Sequence, residues 1–278
     1  MSSRDPVPDR DLDFEPKPAG KVLQLSADWE SLLPQLASLR PSAVTYRNRH
    51  SIVCRPGFFP ALTIVEDGAF RNDGYSGYSL RLDHCAEAWW YEEHRFGGMH
   101  HCLEVADSLG RGMFKLCYRD REVGLKDRES LTNWVVEEAS AWDLLHLKPS
   151  NQMDCSATRR LCGKPRFRLA LEGVFREASE RQVELGFLFS GEGQSMWDSF
   201  VPSVASGSCC WTVVSHGQDF IHLEPAGFHR AEVFDEGGRE VVVFRDRAGN
   251  PALTLVVPDG MRFESIRRLK GALPRINP

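Results

Sequence analysis

The spacing of hydrophobic residues changes along the chain, and each change predicts a change of secondary structure. Between Ser26 and Pro41, apolar residues recur at near-helical spacing, which predicts a helix that the proline ends. Over residues 43–118 apolar and polar positions alternate with a period of two, interrupted by turn signals such as Asn72-Asp73-Gly74. This part of the chain is therefore predicted to form an antiparallel sheet.

The clearest hairpin lies at residues 101–118. Apolar residues alternate on both of its strands, and Glu104 is predicted to face Lys115 around a turn at Ser108-Leu109-Gly110. A second hairpin of the same kind is centred on Arg247-Ala248-Gly249-Asn250. The two turns lie about 140 residues apart, a spacing that indicates a duplicated half-domain.

Other motifs recur in the same order in both parts of the chain. A strand at 79–83 and a later Gly97-Gly98 pair correspond to a strand at 220–224 and a Gly237-Gly238 pair. The match predicts two sheets of equal topology, with Gly110 equivalent to Gly249 and Arg81 equivalent to His222. A duplication of this size favours a site in the cleft between the halves.

The remaining patterns complete the fold class. Residues 127–182 are predicted to be helical, residues 182–257 to form the second sheet, and residues 263–270 to form a final short helix. The order predicts an α+β fold that is internally duplicated, with two antiparallel β-sheet halves and flanking and connecting helices. The predicted organisation is a flexible tail (1–22), a first half-repeat (23–125), a connecting helical segment (126–182) and a second half-repeat (183–278).

Composition narrows the class of protein. The formal net charge of −5 leaves no basic footprint for nucleic acid, and no apolar run approaches the length of a membrane span. No export signal is visible, so we expect a cytoplasmic protein without membrane insertion. Because no Cys-x-x-Cys spacing occurs, all eight cysteines are predicted to be unbridged thiols.

No phosphate loop, dinucleotide fingerprint, nucleophile elbow or His-Glu-x-x-His motif is present. Two of the nine histidines are candidates for a site. His146 follows Trp142 in the segment that links the halves, where it could project into the cleft. His222 occupies the position of Arg81 in the second copy. The alternative is that these side chains only pair with nearby carboxylates such as Asp83 and Glu224.

The order of several motifs resembles the cytoplasmic hemin-degrading factors, the HemS/ChuX-like haem-utilisation group. The first half matches at Tyr46-Arg47-Asn48-Arg49-His50, at Ser79-Leu80-Arg81-Leu82 and from Gly98 to Tyr118. The second half matches at Trp211, at Phe220-Ile221-His222-Leu223 and from Val241 to the turn at 246–249. The resemblance covers roughly residues 28 to 258 through scattered motifs.

The resemblance implies haem, or a related tetrapyrrole, bound between the halves. It places Arg81 at the family's arginine, and it puts the lysine that approaches the propionates near Arg230. Residues 141–143 stand where the family has its histidine, so His146, about one helical turn later, is the candidate iron ligand. His222 is included as a cofactor-binding candidate. Asp83 replaces a family aromatic residue.

Three functions remain open at this point. The first is haem binding and intracellular haem trafficking, with a haem-accepting or haem-donating protein as a further partner. The second is an oxygenolytic haem-degrading enzyme, which additionally needs an open iron face and an electron donor. The third is a diverged scaffold or regulatory protein that no longer binds haem.

Overall fold

The computed structural model describes residues 17–57, 59, 63–64, 69–72, 77–95, 98–147, 165–191, 193–205, 212–216, 219–224 and 227–272. The strands of the amino-terminal part are β1 (Lys17–Leu25), β2 (Ala43–Arg47), β3 (Ser51–Pro56), β4 (Thr63–Ile64), β5 (Ala69–Asn72), β6 (Tyr78–Arg81), β7 (Glu87–Arg95), β8 (Gly98–Ala106), β9 (Gly112–Tyr118) and β10 (Val135–Ala139). Those of the carboxy-terminal part are β11 (Leu185–Gly191), β12 (Gln194–Phe200), β13 (Ser203–Ala205), β14 (Thr212–His216), β15 (Asp219–Leu223), β16 (Arg230–Glu236), β17 (Arg239–Arg245) and β18 (Pro251–Val256). The helices are α1 (Trp29–Leu36), α2 (Arg121–Ser130), α3 (Pro165–Glu180) and α4 (Glu264–Ala272).

These strands form two antiparallel sheets in the described part of the chain. The order in one is β10-β1-β7-β8-β9-β2-β3-β15-β14-β13, and the order in the other is β16-β17-β18-β11-β12-β6-β5-β4. The two orders are the same when each strand from β2 to β9 is matched with the strand whose number is nine higher, so that β2 corresponds to β11 and β9 to β18. The predicted α+β fold with two halves of matching topology is confirmed, and β1 and β10 are an addition at one edge of the first sheet.

The two repeats exchange strands. Strand β6 of the first repeat pairs with β12 of the second, and β15 of the second repeat pairs with β3 of the first. Each sheet therefore contains three strands that come from the other half of the sequence. Neither repeat completes its own sheet.

The equivalence of the two glycine turns is confirmed. Gly110 N donates to Asp107 O (2.9 Å), and Gly249 N donates to Asp246 O (3.1 Å). Both glycines have positive φ, +70° and +88°, a conformation that residues with a Cβ rarely adopt. The Asp107 and Asp246 carboxylates also accept from backbone N–H groups inside the turns. The predicted pairing of Glu104 with Lys115 across the hairpin is also observed.

The predicted equivalence of Arg81 and His222 is wrong by two residues. Arg81 N donates to Gly193 O (2.7 Å), and the matching bond in the other repeat runs from Glu224 N to His50 O (2.9 Å). Arg81 is therefore equivalent to Glu224. A shift of two residues keeps every side chain on the same face of a strand, so alternation of apolar residues cannot detect it.

Two predicted boundaries also differ from the structure. Strand β1 begins at Lys17, inside the segment predicted as a flexible tail to residue 22, because it pairs with both β7 and β10. The predicted helical link at 126–182 contains β10, in which Val136, Glu137 and Glu138 are exposed. Helix α3 precedes β11 as α1 precedes β2, so its place in the order matches it to the second repeat.

Apolar residues of both sheets and of the helices form one large core. Helix α1 contributes Trp29, Leu32, Leu33 and Leu36, and α3 contributes Leu171, Val174, Phe175 and Ala178. A smaller apolar cluster on the outer face of the first sheet contains Val22, Trp89, Tyr91, Cys102, Ala106, Leu144 and Leu147. Through this cluster the segment that follows β10 packs against the first sheet.

Asn48 links the hairpins of the two repeats by hydrogen bonds. Its Nδ2 donates to Ser190 O and to Ala252 O, both at 2.8 Å, across the boundary between the repeats. Its Oδ1 accepts from the N–H groups of His50 and Ser51. The side chain is fully used in these contacts, so the Arg-Asn element of the sequence has a structural role here.

Candidate functional site

The chain passes from one sheet to the other through residues 82–86, which join β6 to β7. Arg81 ends β6, Glu87 begins β7, and residues 82–84 form a single 3₁₀ turn between them. Arg81 N is bonded to Gly193 O of the second repeat, so this crossing lies at the boundary between the repeats. It places the candidate Arg81 at one end of a short segment and Glu87, whose carboxylate binds the candidate His146, at the other end.

Arg81 presents an exposed guanidinium that is bound to Asp83. Its Nε and Nη2 donate to the two oxygens of the Asp83 carboxylate at 3.0 and 2.6 Å. These hydrogen bonds lower the pKa of Asp83 below its usual value. Both side chains are more than half exposed, and solvent screens such surface pairs so that they add little to the stability of a fold. An anionic ligand can therefore replace Asp83 at small cost.

His146 is held by a carboxylate at the start of β7. Its Nε2–H donates to Glu87 Oε2 at 2.7 Å, and Trp89 Nε1–H donates to the same oxygen at 2.8 Å. An ionised carboxylate only accepts, so the proton is on Nε2 and the Nδ1 of a neutral ring keeps its lone pair. The imidazole is 46% exposed, which leaves it accessible from solvent.

The tight turn that contains Gly110 packs against His146. A Cβ placed on Gly110 would lie 2.7 Å from the carbonyl oxygen of His146 and 2.9 Å from its ring. Only glycine allows this approach, and its positive φ is also required by the hairpin turn. The hairpin turn at 107–111 therefore fixes the height of the histidine above the sheet.

Large exposed apolar side chains lie close to the histidine in the sequence. Trp142 and Leu145 are 78% and 72% exposed, and they are three residues apart on the 3₁₀ turn that begins at Ala141. Residues at this spacing lie on the same side of a 3₁₀ helix. Leu109, which precedes Gly110, is also exposed. Together with His146 they form a surface that we call the 142–146 patch.

The structure does not bring His222 and Arg230 to this patch. His222 lies on β15, five strand positions from β7, which is about 24 Å along the sheet. Arg230 begins the edge strand β16, five positions from β6, and pairs with Glu232 at 2.8 Å. One ligand at His146 does not reach across these distances.

The position equivalent to Arg81 in the second repeat is chemically different. Glu224 is buried there, and its carboxylate lies 3.4 Å from His50 Nδ1. At this position the first repeat therefore has an exposed cation, Arg81, and the second repeat has a buried carboxylate, Glu224, beside His50. The duplicated fold offers one cationic site at this position.

The cavity that the structure describes between the hairpins is too small for a large ligand. The cavity lined by Tyr46, Asn48, Tyr78, Gln194 and Met196 has a volume of about 10 Å³, which is room for one water molecule. Neither Arg81 nor His146 lines this cavity.

The described ranges contain no group of three or more His, Cys, Asp and Glu side chains arranged to hold a metal ion. Among the helices in those ranges, none is long and apolar enough to cross a membrane. A metal at this site would need a carrier that supplies most of its ligands, as a tetrapyrrole does for iron.

Sequence reasoning missed Glu87 and the exposed pair Trp142 and Leu145. One signal was present: Ser140 and Asp143 have the spacing of a capping box, and the Asp143 carboxylate accepts from the Ser140 N–H and hydroxyl, both at 2.8 Å. A start of this kind predicts a short helical turn whose outer side faces solvent.

Fold and site together define an internally duplicated, strand-exchanged α+β protein with a cation, an accessible imidazole and apolar surface at one sheet crossing. No family model matches the sequence, and no curated protein matches it.

Solved structures do match. The heme degrading enzyme ChuS of Escherichia coli O157:H7 has a TM-score of 0.65 at 14% identity, covering 91% of this chain and 87% of that one. Holo-PhuS, a heme-binding protein from Pseudomonas aeruginosa, has a TM-score of 0.64 at 16% identity, with the same coverage. A second structure of ChuS, described as an E. coli heme oxygenase, has a TM-score of 0.64 at 13% identity and covers 91% of this chain and 89% of that one. The expected fold of the hemin-degrading factors is confirmed.

Proposed function

We propose that this protein binds haem at the 142–146 patch, with His146 as the iron ligand and Arg81 as the partner of a propionate. The observation that carries the proposal is the His146–Glu87 pair. Histidines that bind metals usually donate their other ring N–H to a carboxylate or a carbonyl, and here that partner is already in place. The fold shared with ChuS and PhuS supports the same ligand.

The residues of the site fit a tetrapyrrole in three respects. Trp142 and Leu145 offer exposed apolar surface to the porphyrin. Arg81 offers several hydrogen-bond donors on a charge that cannot be lost, which suits a propionate. The Nδ1 lone pair of His146 is an imidazole donor of the kind that haem iron accepts. Bound haem would supply iron chemistry, and the chain would supply orientation and cover.

One haem per chain is expected. Arg81 is exposed, whereas its equivalent Glu224 is a buried carboxylate beside His50 and would repel a propionate. His222 and Arg230 lie outside this site. We propose a carrier that works in the cytoplasm, where cysteines such as the unbridged Cys54, Cys85, Cys102 and Cys117 stay reduced. A haem-donating or haem-accepting protein would meet the same exposed patch.

Titration with hemin tests the proposal. The parent protein is expected to give a Soret band that saturates at one equivalent. Replacing His146 by alanine is expected to abolish that band, because the iron loses its ligand, and Arg81→Ala is expected to weaken binding about tenfold through the loss of one charge-assisted bond. Absorbance is measured across the titration for each variant.

His229→Ala is the matched control, since it removes an exposed histidine from the second repeat and should bind like the parent. If the parent does not bind hemin stoichiometrically, the function is wrong and the diverged-scaffold alternative takes its place. If the parent binds and His146→Ala binds equally well, haem is retained and the ligand assignment is wrong.

Glu87→Ala should weaken hemin binding by about 10- to 100-fold, the usual effect of removing the carboxylate behind a metal-binding histidine. Glu87→Gln keeps a hydrogen-bond acceptor and should recover much of the loss. Affinity is measured by the same titration, and the reduction potential of the bound haem should rise in Glu87→Gln because the histidine becomes a weaker donor. Tighter binding in Glu87→Ala would instead show that Glu87 competes with iron for Nε2.

A further inference from the structure

Two cysteines face each other across the hairpin formed by β8 and β9. Cys102 and Cys117 are direct partners in the strand register. The carbonyl of Cys117 accepts from Ser42 N, on the side of β9 that faces β2. Because N–H and C=O of one residue point to the same side of a strand, Cys117 makes no ladder bond to β8. The two cysteines therefore form a non-hydrogen-bonded pair.

This kind of pair has the spacing of a disulfide. Directly opposite residues of a non-hydrogen-bonded pair have Cα atoms about 4.5 Å apart, and disulfides span Cα separations of about 4.4–6.8 Å. The Cys102 thiol is also within hydrogen-bonding reach of Cys117. Neither cysteine is in a disulfide, so the bridge is geometrically allowed but not formed.

The two thiols differ in their surroundings. Cys102 is fully buried, and burial raises the pKa of its thiol well above the usual value, so it does not react first. Cys117 is partly exposed and accessible to a small oxidant. One accessible sulfur next to one protected sulfur is the arrangement of a reacting and a resolving cysteine.

We propose that Cys102 and Cys117 form a peroxide-sensitive dithiol. Hydrogen peroxide oxidises the Cys117 thiolate to a sulfenic acid: the S–O bond forms, the O–O bond breaks, and the other oxygen leaves as water with one proton. The Cys102 sulfur then attacks the sulfenic sulfur, the S–S bond forms, and the hydroxyl leaves as a second water with the Cys102 proton. Two thiols lose two electrons and two protons, and peroxide gains them.

The dithiol is independent of haem binding, but it lies on the same hairpin whose turn supports His146. A bridge between β8 and β9 would tie together the strands that lead to this turn. The proposal therefore adds a modification site to the protein without relying on the ligand.

Mass spectrometry of the full chain tests the proposal. The protein is treated with hydrogen peroxide, unfolded in guanidinium chloride with N-ethylmaleimide so that buried thiols are blocked as well, and digested with trypsin. Cleavage separates the two cysteines into peptides 96–111 and 116–119, so a bridge appears as a cross-linked pair. We expect this pair in the treated parent, its loss after dithiothreitol, and its persistence in Cys54→Ser, which removes another partly exposed cysteine.

Two variants make the result decisive. Cys117→Ser should lose the pair and leave Cys102 blocked by N-ethylmaleimide. Cys102→Ala should leave Cys117 without a resolving thiol, so that the residue is oxidised further to sulfinic acid. The proposal is overturned if both cysteines of the treated parent are blocked by N-ethylmaleimide, or if Cys117 of the parent is converted to sulfinic acid while Cys102 stays reduced.

Discussion

Residues 165–278, which form the second repeat with its helix α3, are expected to give no folded monomer when expressed alone. In the complete chain β12 pairs with β6 and β15 pairs with β3. Two strands of the isolated repeat therefore lose a neighbouring strand. An uncovered strand edge of this kind leaves backbone N–H and C=O groups available to another chain. Because the repeat carries both the acceptor edge and the equivalent donor strands, two copies can exchange β13–β15 as the two repeats do.

Sedimentation velocity and circular dichroism over a range of concentrations measure the outcome. Folded material should be dimeric, and dilution should unfold it. Mixing with residues 1–164 is the control, and it should give a one-to-one complex with the secondary structure of the intact chain. A folded monomer of the isolated repeat at low concentration would contradict the exchange as the source of stability.

Replacing Lys115 by methionine is expected to lower the free energy of unfolding by about 3–5 kcal/mol, because it leaves buried carboxylates without their counter-charge. Lys115 Nζ lies 2.6 Å from Glu93 Oε2 and 3.6 Å from Glu104 Oε2. Tyr91 Oη–H donates to Glu104 at 3.0 Å, and the ammonium lies 4.9 Å from the centre of the Tyr91 ring. All four side chains are essentially inaccessible to solvent.

Urea unfolding of the parent and of two variants measures the effect. Lys21→Met is the matched control, since its ion pair with Glu138 is exposed and should contribute about 0–1 kcal/mol. A loss below about 1 kcal/mol for Lys115→Met would contradict the expected cost of an uncompensated buried charge.

The pH dependence of the Lys115 contribution follows from its charge. Burial acts to lower the pKa of Lys115, but its neighbours, including Tyr91, Glu93 and Glu104, raise it, and the net pKa is well above the usual value. A group whose pKa is raised on folding contributes its full stability below the unfolded pKa of about 10.4, and the contribution is lost only as pH rises through the folded value. Titration of Lys115 itself should therefore leave the stability of the parent unchanged from about pH 6 to pH 9, as measured by urea unfolding across this range.

The candidate site could be predicted only in part. Arg81 was predicted from the resemblance to the hemin-degrading factors and His146 from its place in the linking segment, and both stay predictions. Glu87 was not found, because a glutamate at the start of a strand has no sequence feature that separates it from other surface acids. Its role follows from one hydrogen bond to His146, a residue far from it in the chain.

What the sequence by itself determined is local. Alternation along 101–118 and the glycines at 110 and 249 specify two hairpins, because a period of two and a positive φ act within a few residues. The fold class and the duplication follow from the order of such elements. Each of these features is confirmed by the structure.

Only the tertiary structure decided the exchange of strands and the register between repeats. Strand β10 pairs along its ladder with β1, a contact between residues more than a hundred positions apart that no local pattern encodes. Arg81 was matched to His222 instead of Glu224 because a shift of two residues preserves the apolar face. The pairing of β6 with β12 and of β15 with β3 depends on backbone hydrogen bonds, which every non-proline residue can form, so side-chain patterns alone do not choose between partners.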